Sequence, residues 1–333
     1  MNGSAKVRHV LVRSRLRAGT AGALITIATA LLAMALAPAA AVAAPKELRL
    51  VVAGPGGGSA HGLAEMLADP LAQVLGRPVT IQAVPGDDGI AAAQAVVDAA
   101  PDGGALLLAD NLLLAVNEAA GTSPVDLDEL RPVAKLTLGI SVALVAPVDS
   151  GMTSWQTLSD RAAPDRLRLS VPTSQVAYEV ARALLERVAG MTFEVIAAAD
   201  DWASLADIAQ GRADIGLVTT NSLERHDAAG LRSIVTFGAK RSPLYPQTPT
   251  FAEVTGDDRN DFTYSFALFG PPELDEELIR SLAEATLTAC ARPTALTAAG
   301  AAGLPLACRE AEVVEQTLER DLQVARRAYP DAR

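Results

Sequence analysis

Short apolar segments alternate with helical patterns along this chain, and this alternation constrains the fold more than any other feature. Alternating strands and helices are typical of a mostly parallel α/β sheet, because two parallel strands need a crossover connection. Apolar runs predict strands at residues 48–53, 79–83, 105–109, 166–171, 193–197, 215–219 and 231–237. Apolar residues at helical spacing predict helices at 59–75, 90–99, 177–188, 202–210, 274–291 and 310–329.

Two segments divide this pattern into two series of elements. The apolar stretch 131–147 predicts a strand that crosses between two lobes, and the proline-rich segment 240–250 predicts an extended return crossing. We therefore expect lobe 1 to contain residues 44–146 and 241–333, and lobe 2 to contain residues 147–240.

Ligands of open α/β sheets bind at the carboxyl ends of strands. A cleft between two such lobes would collect several helix N-termini, whose free N–H groups favour an anion.

The first 43 residues differ from the rest of the chain. Five basic residues are followed by an uncharged apolar stretch and by small residues that end in Ala41-Val42-Ala43. This order is typical of a secretory signal peptide, so we expect cleavage after Ala43 and export to a periplasmic or other extracytoplasmic compartment. An uncleaved membrane anchor is the alternative, because the uncharged run is long enough to span a bilayer.

Charge and composition exclude several classes of function. The net charge is −11, and loss of the basic signal segment makes it more negative, so we expect no binding to nucleic acid.

Cys290 and Cys308 are the only cysteines. In an exported protein they predict one disulfide, with two buried free thiols as the alternative. Only His61 and His226 lie outside the signal segment, so we expect no metal site and no cofactor.

A glycine-rich turn from Gly54 to Ser59 follows the first predicted strand and opens a helix. Such a turn can hold an anion in a nest of backbone N–H groups. We expect Gly57, Gly58 and Ser59 to be the donors. Ser59 and His61 also suggest a hydrolase, but side chains two residues apart on a helix diverge. A helix cap followed by a polar pocket residue is therefore the favoured interpretation, and we expect no catalytic residues.

Asp110 and Asn111 end the third predicted strand, where ligand-binding residues belong. Three interpretations of Asp110 stay open: contact with a ligand amine, a pair with His61, or a cap on the next helix. We expect His61, Asp110 and Asn111 to set ligand selectivity. Trp155 and Trp202 are expected to pack in the core rather than to stack on a ligand.

Several segments resemble, in order along the chain, the extracytoplasmic solute receptors of tripartite tricarboxylate transporters, the Bug family. Residues 50–59 are similar to the family's R-L-V-V-P-F-P-P-G-G-S-T-D, and residues 239–253 to its A-K-R-S-P-x-L-P-D-V-P-T-x-A-E. Shorter matches lie at 85–89, 100–108 and 210–214. The resemblance extends from about residue 46 to the C-terminal helices.

This resemblance implies a type II periplasmic-binding-protein fold, in which two α/β lobes joined by two crossings close on a ligand between them. It implies a receptor without catalysis, which holds a small carboxylate largely through backbone N–H groups and bridging waters and delivers it to separate membrane permease subunits. We expect a monomer that binds a small carboxylate or an amino acid.

The sequence departs from the family mostly in the pocket. Where the family has G-S-A-G-N-G-S-T-S-H, this chain has residues 170–179, in which Pro172, Thr173, Ser174 and Gln175 are expected to contact the ligand. Further candidates are Asp200, which replaces part of a P-Y-K-G motif, and Thr219. Acidic residues at 110, 179 and 200 favour a ligand that also carries an amine. A receptor that reports its ligand to a membrane signalling partner, without transport, is the alternative function.

Overall fold

Two β-sheets organise the structure, a computed structural model that describes residues 47–53, 58–85, 89–162, 166–225 and 230–330. The predicted signal segment, Gly57 and His226 lie outside these residues. The described residues belong to the unit Ala44–Arg333. None of the helices in the described ranges is long and apolar enough to cross a membrane.

The described strands and helices alternate for most of the chain. The strands are β1 (Leu48–Ala53), β2 (Val79–Val84), β3 (Ala105–Asp110), β4 (Arg131–Thr137), β5 (Val142–Pro147), β6 (Leu167–Pro172), β7 (Phe193–Ala198), β8 (Ile215–Thr219), β9 (Leu231–Thr236), β10 (Phe266–Gly270) and β11 (Leu306–Glu310). The helices are α1 (Ser59–Leu75), α2 (Ile90–Val97), α3 (Asn111–Ala120), α4 (Trp155–Ala162), α5 (Val176–Arg187), α6 (Asp201–Ala209), α7 (Thr220–Arg225), α8 (Phe251–Thr255), α9 (Glu276–Cys290), α10 (Pro293–Ala302) and α11 (Ala311–Ala328).

Each sheet combines a parallel part with antiparallel strands. The first sheet has the strand order β11-β4-β10-β3-β1-β2, and the second has the order β7-β6-β8-β5-β9. In the first sheet β1 is parallel to β2 and β3, while β10 is antiparallel to β3 and β4. In the second sheet β6 is parallel to β7 and β8, while β5 is antiparallel to β8 and β9.

The first strand shows why its sequence is apolar at four successive positions, from Leu50 to Ala53. Leu50 and Val52 pack with α1 residues such as Leu67, whereas Val51 packs on the opposite face with α2 residues such as Val96. Successive side chains of a strand point to opposite faces, so a strand covered by helices on both sides needs apolar residues at every position. Each fully buried Leu or Val contributes about 1.5–3 kcal/mol to the free energy of unfolding.

The apolar stretch 131–147 forms two strands, not the single crossing strand that the sequence predicts. The strand β4 belongs to the first sheet and β5 to the second. Gly139 lies between them, and no larger residue fits there because a Cβ would clash with the Thr263 side chain. The chain therefore leaves the first sheet after Thr137 and enters the second at Val142.

The return to the first sheet also differs from the expectation. The proline-rich segment packs beside β9: the Thr236 N–H donates to the Pro249 carbonyl oxygen at 3.0 Å, and the Thr248 hydroxyl donates to that of Ser233 at 3.4 Å. The chain returns near residues 261–265, where Ile140 and Tyr264 of the two crossings exchange backbone hydrogen bonds of 2.8 and 3.2 Å. The predicted lobe boundaries stay a prediction.

Cys290 and Cys308 are bonded in the structure, with their Cα atoms 6.2 Å apart. The bond joins the end of α9 to β11, across a sequence separation of 18 residues. A crosslink that closes a loop of this size stabilises a folded chain by about 3 kcal/mol in the chain-entropy model.

Candidate ligand-binding site

The larger of two adjoining cavities has a volume of about 360 Å³. Most of its lining residues come after the carboxyl ends of strands, and both sheets contribute. Ile140 and Tyr264, which also line the cavity, belong to the two crossings between the sheets. Its lining residues are Gly58, Ser59, Ile140, Ser174, Gln175, Tyr178, Asp200, Asp201, Trp202, Thr219, Asn221, Ser222, Arg225, Tyr264, Ala302, Gly303 and Leu304.

The N-termini of two helices, one beside each sheet, lie at this cavity. The helix α1 begins after the N-cap Gly58, and α5 begins after the N-cap Gln175; neither N-cap residue makes a side-chain capping hydrogen bond. The first N–H groups of a helix have no acceptor within the helix, and the helix dipole makes that end positive. Because Gly58 and Gln175 both line the cavity, its main chain favours an anion.

Asp201 is held firmly on the wall of the same cavity. Its Oδ2 accepts hydrogen bonds from the Thr219 backbone N–H at 3.0 Å and from the Thr219 hydroxyl at 2.7 Å. The Tyr178 hydroxyl donates to the other carboxyl oxygen. Burial, followed by the negative charge of Asp201, raises the pKa of Tyr178, so this hydroxyl keeps its proton. Both Asp201 oxygens are therefore occupied by donors of the protein.

Arg225, a cation in the cavity lining, also has hydrogen-bond partners within the protein. Arg225 donates from Nη1 to the Ala302 carbonyl oxygen at 2.8 Å and from Nη2 to that of Ala301 at 3.3 Å. Asn221 donates to the carbonyl oxygen of Gly303 at 3.2 Å. The carbonyls of Ala301 and Ala302 are the last of α10, where a cation is favourable. Gly303 has a φ of 72° and lies against Arg225, so glycine is required there.

A smaller cavity of about 150 Å³ adjoins the first and shares Gly58, Ser59, Ser174 and Gln175 with it. The rest of its lining is mostly apolar: Ala53, Ala60, Gly89, Leu108, Ala109, Asp110, Leu113, Leu114 and Phe266. Asp110 is 4% exposed, and its Oδ1 accepts a hydrogen bond from the Leu112 N–H at 2.9 Å. Burial, only partly opposed by the backbone amides of Leu112 and Leu113, raises the pKa of Asp110 to about 7.

The structure brings seven of the predicted binding residues to these cavities. Asp200 and Thr219 line the larger cavity, and Asp110 lines the smaller. The residues shared by both are Gly58, Ser59, Ser174 and Gln175. Of the three interpretations of Asp110, the helix cap is the one that the structure shows, because the Asp110 side chain accepts a hydrogen bond from the Leu112 N–H.

Four predicted residues line neither cavity: His61, Asn111, Pro172 and Thr173. The His61 Nε2 lies 3.5 Å from a carboxyl oxygen of Glu65, and within the described ranges no hydrogen bond joins His61 to Ser59 or Asp110. The Thr173 hydroxyl donates to a backbone carbonyl at 3.3 Å. Asn111 is fully buried. The binding roles of these residues stay predictions, and Gly57 lies outside the described residues.

Sequence reasoning missed several residues of the larger cavity. Asp201 and Tyr178 lie within one helical turn of predicted residues, and their polar character was the available signal. Ile140 lies in the predicted crossing 131–147 but was not named as a binding residue, and Tyr264 lies in a return crossing that the sequence placed at 240–250. Trp202 is 60% exposed and lines the cavity, so the expectation that it packs in the core is wrong.

Two mixed α/β sheets with a cavity at facing helix N-termini define the class of two-lobed solute-binding proteins. Within that class, this chain belongs to the tripartite tricarboxylate transporter family receptors, because residues 63–319 match the model of that family. A curated relative, the UPF0065 protein in the gbd 5′ region of Cupriavidus necator, is 28% identical over 269 residues, which cover 78% of this chain and 80% of the relative.

Solved structures show the same fold. A TctC solute binding protein from Polaromonas has a TM-score of 0.75 at 18% identity, with 85% of this chain and 98% of that chain covered. MatC from Rhodopseudomonas palustris with bound malate has a TM-score of 0.63 at 21% identity, with 83% and 99% covered. An R. palustris protein with adipate has a TM-score of 0.63 at 18% identity, with 85% and 98% covered. The predicted fold class and family are confirmed.

Proposed function

We propose that this protein is an exported receptor that captures a small carboxylate and delivers it to the membrane permease subunits of a tripartite tricarboxylate-type transporter. One observation carries the proposal: the uncapped N-termini of α1 and α5, one beside each sheet, face the same cavity. A carboxylate placed there accepts hydrogen bonds from both helices at once, so it favours the arrangement in which the two sheets are close together.

The cavity suits a small ligand with polar ends. Its volume of about 360 Å³ lies at the lower end of the range for small-molecule sites. Side chains of Ser59, Ser174 and Gln175 add hydrogen-bonding groups beside the two helix termini. Two structures of similar fold contain malate or adipate, and acids of that size are the ligands we expect here.

Binding is expected to proceed with closure about the two crossings. We place the hinge at residues 138–141 and 261–265, which connect the two sheets and are paired through Ile140 and Tyr264. A ligand that contacts both sides stabilises the closed arrangement by its differential affinity. We expect the receptor to act as a monomer outside the cytoplasm after removal of residues 1–43.

A thermal-shift screen of the mature chain, residues 44–333, tests the proposal. We expect an increase in Tm with at least one di- or tricarboxylate and no increase with the matching amide, because the amide lacks the negative charge that the helix termini favour. Titration calorimetry should then give a 1:1 complex. A flat Tm across a broad panel of carboxylates, at concentrations up to several millimolar, would contradict the proposed function.

A further inference from the structure

Asp110 lies in a small cavity whose main chain attracts anions. Three helix N-termini contribute to this cavity, those of α1, α2 and α5, and their N-cap residues are Gly58, Gly89 and Gln175. Gly58 and Gly89 have no side chain to cap their helices, and the Gln175 side chain makes no capping hydrogen bond. An aspartate beside such a site needs a physical explanation, because its charge would repel the very ligand that the helix termini favour.

The two carboxyl oxygens of Asp110 have different surroundings. Oδ1 caps α3 through the Leu112 N–H, whereas Oδ2 is buried without a hydrogen-bond partner among the described residues. A buried, unpaired carboxylate oxygen is unfavourable. A proton on Oδ2 changes the group from an acceptor into a donor and leaves the cap on Oδ1 intact.

We propose that Asp110 is protonated when the receptor holds its ligand and that Oδ2 then donates a hydrogen bond to a carboxylate of the ligand in the smaller cavity. This inference rests on the proposed function. Two carboxyl groups at close range share one proton readily, since the O–H···O⁻ hydrogen bond is charge-assisted and both charges together are disfavoured. Asp110 thus becomes a specificity-determining residue that accepts a carboxylate only together with a proton.

A second buried acid lies on α11, close enough to Asp110 for the two charges to interact. Asp321 is buried, and burial followed by the negative charge of Asp110 raises its pKa. Lys135 on β4 donates to the Thr317 hydroxyl at 3.0 Å, and burial lowers the pKa of Lys135 although the charge of Asp321 opposes this. No ion pair joins a basic side chain to Asp110 in the part of the chain that the structure describes. With its pKa raised to about 7, Asp110 needs little energy to take up a proton at neutral pH.

The remaining titratable neighbours are engaged elsewhere. Tyr264 lies near both Asp110 and Asp201, and burial raises its pKa, so it stays neutral. On α1 and α5, His61 lies beside Glu65, and Arg182 pairs with both Glu179 and Glu186.

The sign of the pH dependence follows from linkage. If the complex holds the proton, the pKa of Asp110 is higher in the complex than in the free receptor. The Kd is then constant below the free pKa of about 7 and rises with pH above it, by up to about tenfold per pH unit. Binding at pH 8 takes up about one proton per ligand.

Titration calorimetry of the mature chain with malate and with adipate tests the inference between pH 5.5 and 9. For the tighter acid, we expect the Kd to rise at least tenfold from pH 6 to pH 8.5, and the heats in phosphate and Tris at pH 8 to report the proton uptake. Asp110→Asn, whose amide donates without a proton and still caps α3, should bind at pH 8.5 as the wild type does at pH 6, within about threefold. Asp275→Asn, an exposed N-cap of α9 away from both cavities, should keep the wild-type pH dependence.

Three results would overturn the inference. Binding whose Kd and proton uptake do not change with pH in the wild type would remove it and leave the proposed function intact. If an amino acid binds more tightly at high pH and its binding is lost in Asp110→Asn, then Asp110 binds an ammonium group instead. Failure of both acids, and of the wider carboxylate panel, would remove the proposed function and this inference together. The wild-type proton uptake decides the matter even if Asp110→Asn folds poorly.

Discussion

Replacing Gly58 with aspartate puts a carboxylate at the N-terminus of α1, where we propose that the ligand carboxylate binds. Gly58 has φ −82° and ψ 176°, and a Cβ built there meets no atom within 4 Å, so the new side chain enters without strain. Aspartate is a preferred N-cap residue, and its exchange for glycine changes stability by only a few tenths of a kcal/mol. We therefore expect Gly58→Asp to fold with an unchanged or slightly raised Tm.

The effect on binding should be much larger than the effect on stability. Two unit charges about 4 Å apart repel each other by about 4 kcal/mol at an effective dielectric constant of about 20. Each 1.4 kcal/mol corresponds to a factor of ten in Kd, so an unscreened contact would cost about a thousandfold. Gly58 is exposed to solvent, and solvent and salt reduce the repulsion, so we expect a rise in Kd of roughly ten- to hundredfold.

Gly58→Asn is the matched control, because asparagine has the same size and the same capping ability without the charge. Titration calorimetry with the tightest carboxylate at low and high salt compares the two variants. We expect Gly58→Asp to bind at least tenfold more weakly than Gly58→Asn, with a difference that shrinks at high salt. Equal affinities of the two folded variants would refute the anion site at α1.

Three further changes probe the surroundings of the site. Tyr178→Phe removes the hydroxyl that donates to Asp201 and leaves one carboxylate oxygen without that donor, so urea unfolding should show a loss of about 1–3 kcal/mol. Arg225→Ala removes two hydrogen bonds to the end of α10; since this arginine is exposed, we expect a loss of about 0.5–1.5 kcal/mol in the same assay. Replacing both Cys290 and Cys308 with serine should lower stability by about 3 kcal/mol, and an unchanged urea midpoint would contradict the structural role of the bond.

The inner parallel strands of both sheets could be predicted from the sequence, because a strand buried on both faces, such as β3 or β8, is rich in apolar residues. The predicted segment 48–53 coincides with β1, and the helix that begins at Ser59 follows it. The antiparallel strands β10 and β11 and the alanine-rich helix α10 were missed. A short apolar run such as 266–270 has no periodicity of its own, and alanine-rich segments show little contrast between faces.

The candidate site was predictable only where it follows directly from strand ends. Ser59 and Ser174 come just after β1 and β6, so their place at the sheet edge follows from topology. Arg225 was not predictable, since its partners are backbone carbonyls of α10 and no side-chain pattern encodes them. Tyr264 reaches the cavity because the chain returns at 261–265, which depends on contacts between the crossings rather than on local sequence.

Each acidic residue that lines the cavities has a structural role in the fold, which accounts for its presence beside a site that favours an anion. Asp200 caps α6 through the Ala203 N–H at 2.9 Å, Asp201 is held by protein donors on both oxygens, and Asp110 caps α3. No N-cap side chain occupies the N–H groups at the starts of α1 and α5, which lie at both cavities. A binding site made from main-chain N–H groups is retained when the neighbouring side chains change. That explains how the segment 170–179 can depart from the family pattern while the receptor, as we propose, still binds a carboxylate.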